Sequence, residues 1–150
     1  MKRPQLRIGA VLLALVGGLL GAALNAGPAS ADEYPNVRDV AVPASGKVTC
    51  FGYTGTFRAR TTVALVDWKS SNDECFGITP DRTVWHTFPN AGGWQRMGGT
   101  RPAGAVASGL FRENPLTGAK VAVVADGAVF YCQNYRRPVG WTDIWYRCND

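Results

Sequence analysis

One stretch of this 150-residue chain is written twice, and that repetition restricts the fold more than any other feature. The first copy runs Asp81-Arg82-Thr83-Val84-Trp85-His86, continues to Gly93-Trp94 and ends at Met97-Gly98-Gly99. The second runs Asp126-Gly127-Ala128-Val129-Phe130-Tyr131, continues to Gly140-Trp141 and ends at Ile144-Trp145. Asp81 and Asp126 are 45 residues apart, and Trp94 and Trp141 are 47 apart. A turn, a short aromatic strand, a loop and Gly-Trp thus recur at a nearly fixed period, as in arrays whose unit is a small β-meander. Val63-Ala64-Leu65 lies 18 residues before Asp81, and Val106-Ala107-Ser108 lies 20 before Asp126. Each unit therefore extends to four strands, at about 63–104 and 105–148.

The signals between the repeats agree. Runs rich in Val, Thr and aromatics occupy 47–53, 61–68, 74–79, 83–88, 105–111, 119–125 and 128–133, and a last strand is expected over 142–148. Thr79-Pro80-Asp81-Arg82, Asn114-Pro115-Leu116-Thr117-Gly118 and the Asp126-Gly127 hairpin signal punctuate them. No stretch from 48 to 150 sustains a 3.6-residue period, so helix should be scarce. The expected fold is all-β: a small disulfide-stapled antiparallel domain, 47–150, built from two blade-like meander repeats and preceded by an extended N-terminal arm, 32–46.

Residues 1–31 read as a cleaved signal peptide. Lys2, Arg3 and Arg7 form a positive n-region, Ile8 to Leu24 is almost wholly apolar, and Ala29-Ser30-Ala31 is an A-x-A site. A secreted, extracellular product follows, with no membrane association after cleavage. The whole-chain charge of +5 then overstates the exported part, where 13 Lys plus Arg stand against 11 Asp plus Glu, a net of +2. That balance, with only Arg136-Arg137 and Arg58/Arg60 as local concentrations, argues against a nucleic-acid partner, which needs clustered positive charge.

All four cysteines, Cys50, Cys75, Cys132 and Cys148, fall in the exported part and read as disulfides. Three connectivities exist; the sequence-local pairs Cys50–Cys75 and Cys132–Cys148 are the expected ones. Each would contribute about 3 kcal/mol through loop closure. No close C-x-x-C pair is present, so neither a metal nor another cofactor is expected.

The arm carries Pro35 and Pro43 and the β-branched positions Val37, Val40 and Val42. Proline fixes φ and removes a donor, which favours extended backbone. With Tyr34, these residues (Tyr34, Pro35, Val37, Val40 and Val42) are the candidate partner-binding set, able to add as a strand to another sheet.

Catalysis finds little support. His86 is the single histidine, beside Trp85 on an aromatic strand, and no G-x-S-x-G, H-E-x-x-H or reactive-cysteine context exists. Asp67, Asp73, Glu74 and Asp81 match no calcium-loop template and read as loop charges. A non-enzymatic protein is expected. Aromatics are the richer clue, since they stack on sugars and anchor interfaces. Trp68, Trp85, Tyr135, Trp145 and Tyr146 are the candidate binding residues. Trp145 and Tyr146 point to opposite faces of one strand, so one of them should be exposed. Trp94 and Trp141, each following glycine at equivalent places, read as structural in both copies.

At Asp126-Gly127, the aromatic strand after it and Gly140-Trp141, the chain resembles the blades of β-propeller lectins. Arg82 departs from that pattern, standing where glycine is expected, and the cysteines are foreign to it. In overall plan, with an Ala-rich signal, the Pro/Val arm from Tyr34 to Pro43 and a compact four-cysteine domain, the chain resembles the small secreted adaptor subunit of actinobacterial umbrella toxin particles. That resemblance implies an antibacterial complex in which the arm engages a large toxin chain and the β-domain docks a lectin-bearing subunit. Two other classes stay open: a carbohydrate-binding lectin, and a protease inhibitor presenting the loop from Gln133 to Gly140.

Overall fold

In β5 (Glu74–Ile78), every residue is buried. Alternation divides them: Glu74, Phe76 and Ile78 point one way, and Cys75 and Gly77 the other. A strand covered on both faces must lie in a middle layer, and the computed structural model, which describes residues 33–99, 105–106 and 110–148, places it there. The signal segment falls outside the described residues.

Thirteen strands and no helix occur among the described residues. β1 (Asn36–Ala41), β2 (Lys47–Cys50), β3 (Tyr53–Thr56), β4 (Thr62–Asp67), β5, β6 (Val84–Thr87) and β7 (Gln95–Arg96) come from the first half. β8 (Ala105–Val106), β9 (Arg112–Asn114), β10 (Ala119–Asp126), β11 (Val129–Arg136), β12 (Gly140–Trp141) and β13 (Tyr146–Arg147) come from the second. One sheet has the order β1-β4-β5-β6-β7 and another β12-β11-β10-β8, with β9 on β10 and β13 on β11; β2 and β3 form a separate hairpin. All pairings are antiparallel. The two repeats are thus two four-stranded meanders, β4-β5-β6-β7 and β8-β10-β11-β12.

The meanders face one another across the main core. Ala64, Val66, Trp68, Phe76, Ile78, Val84 and Met97 come from one side, and Phe111, Ala122, Val124, Tyr131 and Trp145 from the other. The opposite face of the first sheet carries a second cluster, in which Val42, Val48 and Phe57 pack on Val63 and Cys75. Disulfides Cys50–Cys75 and Cys132–Cys148 staple the outer hairpin to β5 and the C-terminal segment to β11. Both are the sequence-local pairs, and they are compatible with an extracellular location.

The arm is extended, but it is seated on its own domain. β1 pairs along its whole length with β4, from Asn36↔Asp67 to Ala41↔Thr62. Ahead of it, Glu33 bridges Glu113 of β9 through two backbone hydrogen bonds, of 2.7 and 2.9 Å. The N-terminal segment therefore touches both sheets. Pro35 and Val42 are buried, and Val37 packs on the main core. β-Branched residues at 37, 40 and 42 found their sheet within the chain itself.

Candidate functional site

Core-facing positions are apolar at one end of the space between the sheets and polar at the other. On β5 the row runs Ile78, Phe76, Glu74; on β6 it runs Val84, His86. On β10 it runs Val124, Ala122, Lys120, and on β11 Tyr131, Gln133, Tyr135. Lys120 pairs with Tyr135, and Tyr135 with Trp141, so these three form one row across three strands of the second sheet. That row faces Glu74 and His86 of the first.

Glu74 is the hub. Its Oε1 accepts from His86 Nδ1–H and from Trp141 Nε1–H at 3.1 Å. Its Oε2 accepts from Trp68 Nε1–H at 3.0 Å and pairs with Lys120 Nζ at 3.6 Å. Glu74, His86 and Lys120 are all buried. Indole N–H groups can only donate, so Glu74 accepts from both tryptophans; as a carboxylate it is an acceptor only, and the His86 contact then runs from Nδ1–H. Three hydrogen bonds and one ion pair on one carboxylate supply the compensation that a buried charge requires.

Lys120 is less well compensated. Its ammonium lies 4.7 Å from the Trp68 ring centroid and 5.2 Å from that of Tyr135, two cation–π contacts. Among the described residues it makes no hydrogen bond shorter than its Glu74 contact. Burial holds its pKa below the ordinary lysine value, and the negative charges of Glu74 and Glu113 only partly restore it.

These side chains open onto a cavity of about 410 Å³, within the range of small-ligand sites. Tyr135 and Trp141 wall it, their rings edge to face at 5.4 Å, and Asn72, Gln95, Arg96 and Asp143 sit on its rim. The loop bearing Ser71 and Asn72 is fixed by Glu113, whose two oxygens accept from Lys69 N–H and Ser70 N–H at 2.7 Å each. Arg137 Nη2 adds a donation to Ser70 O at 3.3 Å. A larger depression, about 550 Å³, lies on the outer face against Tyr53, Trp85 and Trp94 and holds no charged group.

The sequence-selected aromatics separate. Tyr135 lines the cavity. Trp68 is buried, its N–H on Glu74, and Trp145 is buried in the core, so neither offers a face to solvent. Trp85 is half-buried on the outer face, with Nε1–H on Thr83 Oγ1 at 2.9 Å. Tyr146 is exposed and donates to Asn134 Oδ1 at 2.8 Å; of the Trp145–Tyr146 pair it is the outward one. Of the arm set, Tyr34 and Val40 remain exposed.

Sequence reasoning missed Glu74, read as a loop charge, and Lys120, not singled out at all. His86 was placed correctly on its strand but without its carboxylate partner. Trp94 and Trp141, equivalent in sequence, differ in space: Trp94 meets Phe57 edge to face at 4.4 Å on the outer face, and Trp141 faces inward. One signal was available, since Lys120 occupies the same alternation as Ala122 and Val124. Among the described residues, no three His, Cys, Asp or Glu side chains are grouped to share a metal ion. No family model, curated protein or solved structure matches this chain.

Proposed function

We infer that the protein is a secreted, non-enzymatic adaptor that binds other secreted proteins, with β1 as the contact for one of them. The carrying observation is the character of that strand. β1 ends its sheet, with no strand beyond it among the described residues, and five of its six residues are exposed. Proteins usually blunt such an edge because it templates pairing with another chain; where it stays open, strand addition is the matching mode of recognition. Tyr34 and Val40, 62% and 39% exposed, stand beside it as apolar anchors. Two disulfides and a three-layer core give the rigid platform that strand addition needs. The identity of the partners rests on the umbrella-particle resemblance: a large toxin chain at the arm, and a lectin-bearing subunit on the β-domain, within an antibacterial complex.

Deleting residues 32–46 is a poor test, because Pro35, Val37 and Val42 support the core. The informative variant is Tyr34→Ser combined with Val40→Glu, which changes exposed side chains alone. Tagged wild type should recover a large secreted chain from culture supernatant, and the double variant should lose it while its melting temperature is retained. Failure of the wild type to recover any secreted protein, or undiminished recovery by the variant, would sink the adaptor reading.

A further inference from the structure

The cavity at the polar end of the interlayer space has no part in the adaptor reading. Its chemistry is specific. Glu74 accepts three hydrogen bonds, whereas the Lys120 ammonium faces it at 3.6 Å as an ion pair only and keeps hydrogen-bonding capacity unused. His86 donates through Nδ1, and its Nε2 makes no hydrogen bond among the described residues. A buried ammonium without a full set of acceptors is costly, and an acceptor on a ligand would relieve it.

The charges of the lining bound what that ligand can be. Glu74 and Asp143 are negative and Lys120 is positive, while Arg96 pairs with Trp85 and so belongs to the outer-face alternation. With one inward cation, already opposed by Glu74, a dianion such as phosphate would enter an uncompensated site. Among the described residues, no guanidinium fork or glycine-rich backbone nest lies at the cavity floor to favour one. A single carboxylate facing Lys120 is the anion that fits. Around it, Trp141 and Tyr135 offer aromatic surface, and Trp141 is held rigid by its N–H on Glu74. Asn72, Gln95 and Asp143 supply planar amide and carboxylate partners on the rim, suited to hydroxyl groups. An apolar wall, a buried cation and a polar rim in about 410 Å³ describe a site for one carboxylated, polyhydroxylated ring.

We propose that this cavity binds a hexuronate unit, its carboxylate on Lys120, its ring on Trp141 and Tyr135, and its hydroxyls on the Asn72–Gln95–Asp143 rim. The ligand class is an acidic glycan, taken either as a free sugar or as a residue of a polymer. With Nδ1 carrying the ring proton, His86 Nε2 accepts a hydrogen bond from one hydroxyl.

The test is a titration of the intact disulfide-bonded protein, reading the indole N–H resonance of Trp141 by nuclear magnetic resonance. The probes are sodium glucuronate, glucose, an oligoglucuronate and an acetylated dialanine with a free carboxylate. Glucuronate should shift that resonance saturably and bind about tenfold or more tighter than glucose, the scale of one charge-assisted hydrogen bond. Lys120→Met should abolish the preference while the spectrum stays dispersed and the culture-supernatant capture is unchanged. Tighter binding of the oligomer than of glucuronate identifies a polymer as the source, and equal binding a free sugar; either supports the site. Should Lys120→Met unfold, Asn72→Ala and Gln95→Ala replace it, and loss of glucuronate affinity in either upholds the assignment. An unmoved Trp141 resonance, equal binding of glucose and glucuronate, a preference for the dipeptide, or full affinity in both rim variants would overturn it.

Discussion

Arg82 donates through Nη2 to Asp126 Oδ1 at 2.9 Å, joining the β5–β6 turn of one meander to the β10–β11 hairpin of the other. The two residues stand at adjacent places in the repeat, since Asp126 matches Asp81 and Arg82 matches Gly127. The link is thus one repeat's departure from the pattern meeting the other's signature residue. Both side chains are more than a third exposed, so the pair is worth at most about 1 kcal/mol. A double-mutant cycle should show Asp126→Asn costing up to that amount in wild type and close to nothing when Arg82 is already Gly. Urea denaturation of the four proteins measures it; an equal cost in both backgrounds would mean that the pair contributes nothing.

The same arginine occupies φ 65°, beside 62° for Gly127. Left-handed backbone costs a side-chain-bearing residue about 1 kcal/mol relative to glycine. Arg82→Ala keeps that strain and loses the ion pair, whereas Arg82→Gly loses the pair and relieves the strain. The glycine variant should therefore be the more stable of the two by about 1 kcal/mol. Thermal or urea unfolding in parallel decides the order.

Glu74→Gln replaces a carboxylate that accepts three hydrogen bonds and pairs with Lys120 by a group that carries its own N–H₂. Trp68, Trp141, His86 and Lys120 cannot all be satisfied by one amide oxygen, and Lys120 loses its buried counter-charge. A loss of about 3–5 kcal/mol is expected. Adding Lys120→Met should recover part of it, because the unpaired charge is then gone. No recovery in the double variant would show that lost hydrogen bonds, rather than the uncompensated cation, dominate the cost.

Asp81 accepts from Thr79 Oγ1 and from Thr83, and these hydrogen bonds hold its carboxyl below the usual 3.8. Its folded pKa being the lower one, the contribution is fully present above 3.8 and fades as pH falls through the folded value. Asp81→Asn should therefore lose stability relative to wild type at neutral pH, with the gap narrowing on acidification below 3.8. Melting temperatures across the acid range test it, and a pH-independent gap would contradict it.

Gly77→Ala would place a Cβ 2.5 Å from Cδ1 and Cε1 of the Phe57 ring. Phe57 cannot retreat, since Gly55 already abuts its far edge and the ring is buried. The expected cost is about 1–3 kcal/mol of overpacking. Adding Phe57→Leu should relieve the clash, which chemical denaturation of the single and double variants would reveal.

How legible was this in the sequence? The meanders were legible because alternation and turn chemistry are local: Asp126-Gly127 marks a hairpin whatever surrounds it. Both disulfides followed from proximity in sequence. The seating of the arm did not, because Val37, Val40 and Val42 declare a preference for a sheet without saying whose. The cavity was the least legible part. Glu74, His86, Lys120 and Trp141 come from four strands of two sheets, and only the strand pairing together with the packing of those sheets makes them neighbours. Lys120 in the core-facing alternation of β10 was the one local hint, and it indicates a buried cation only once that face is known to be covered. Sequence equivalence marked Trp94 and Trp141 as packed residues but not the different faces they take, because a strand residue's face depends on where pairing begins.

The bridge from Glu33 to Glu113 carries a consequence for how the chain reaches its final form. Glu33 is made early, yet its partner on β9, Glu113, is 80 positions downstream. Contacts of such sequence separation form late and slowly. The clasp over the two sheets therefore shuts only after Glu113 has emerged, long after β1 has met β4, leaving the backbone at Glu33 open until then to whatever acts upon nascent chains.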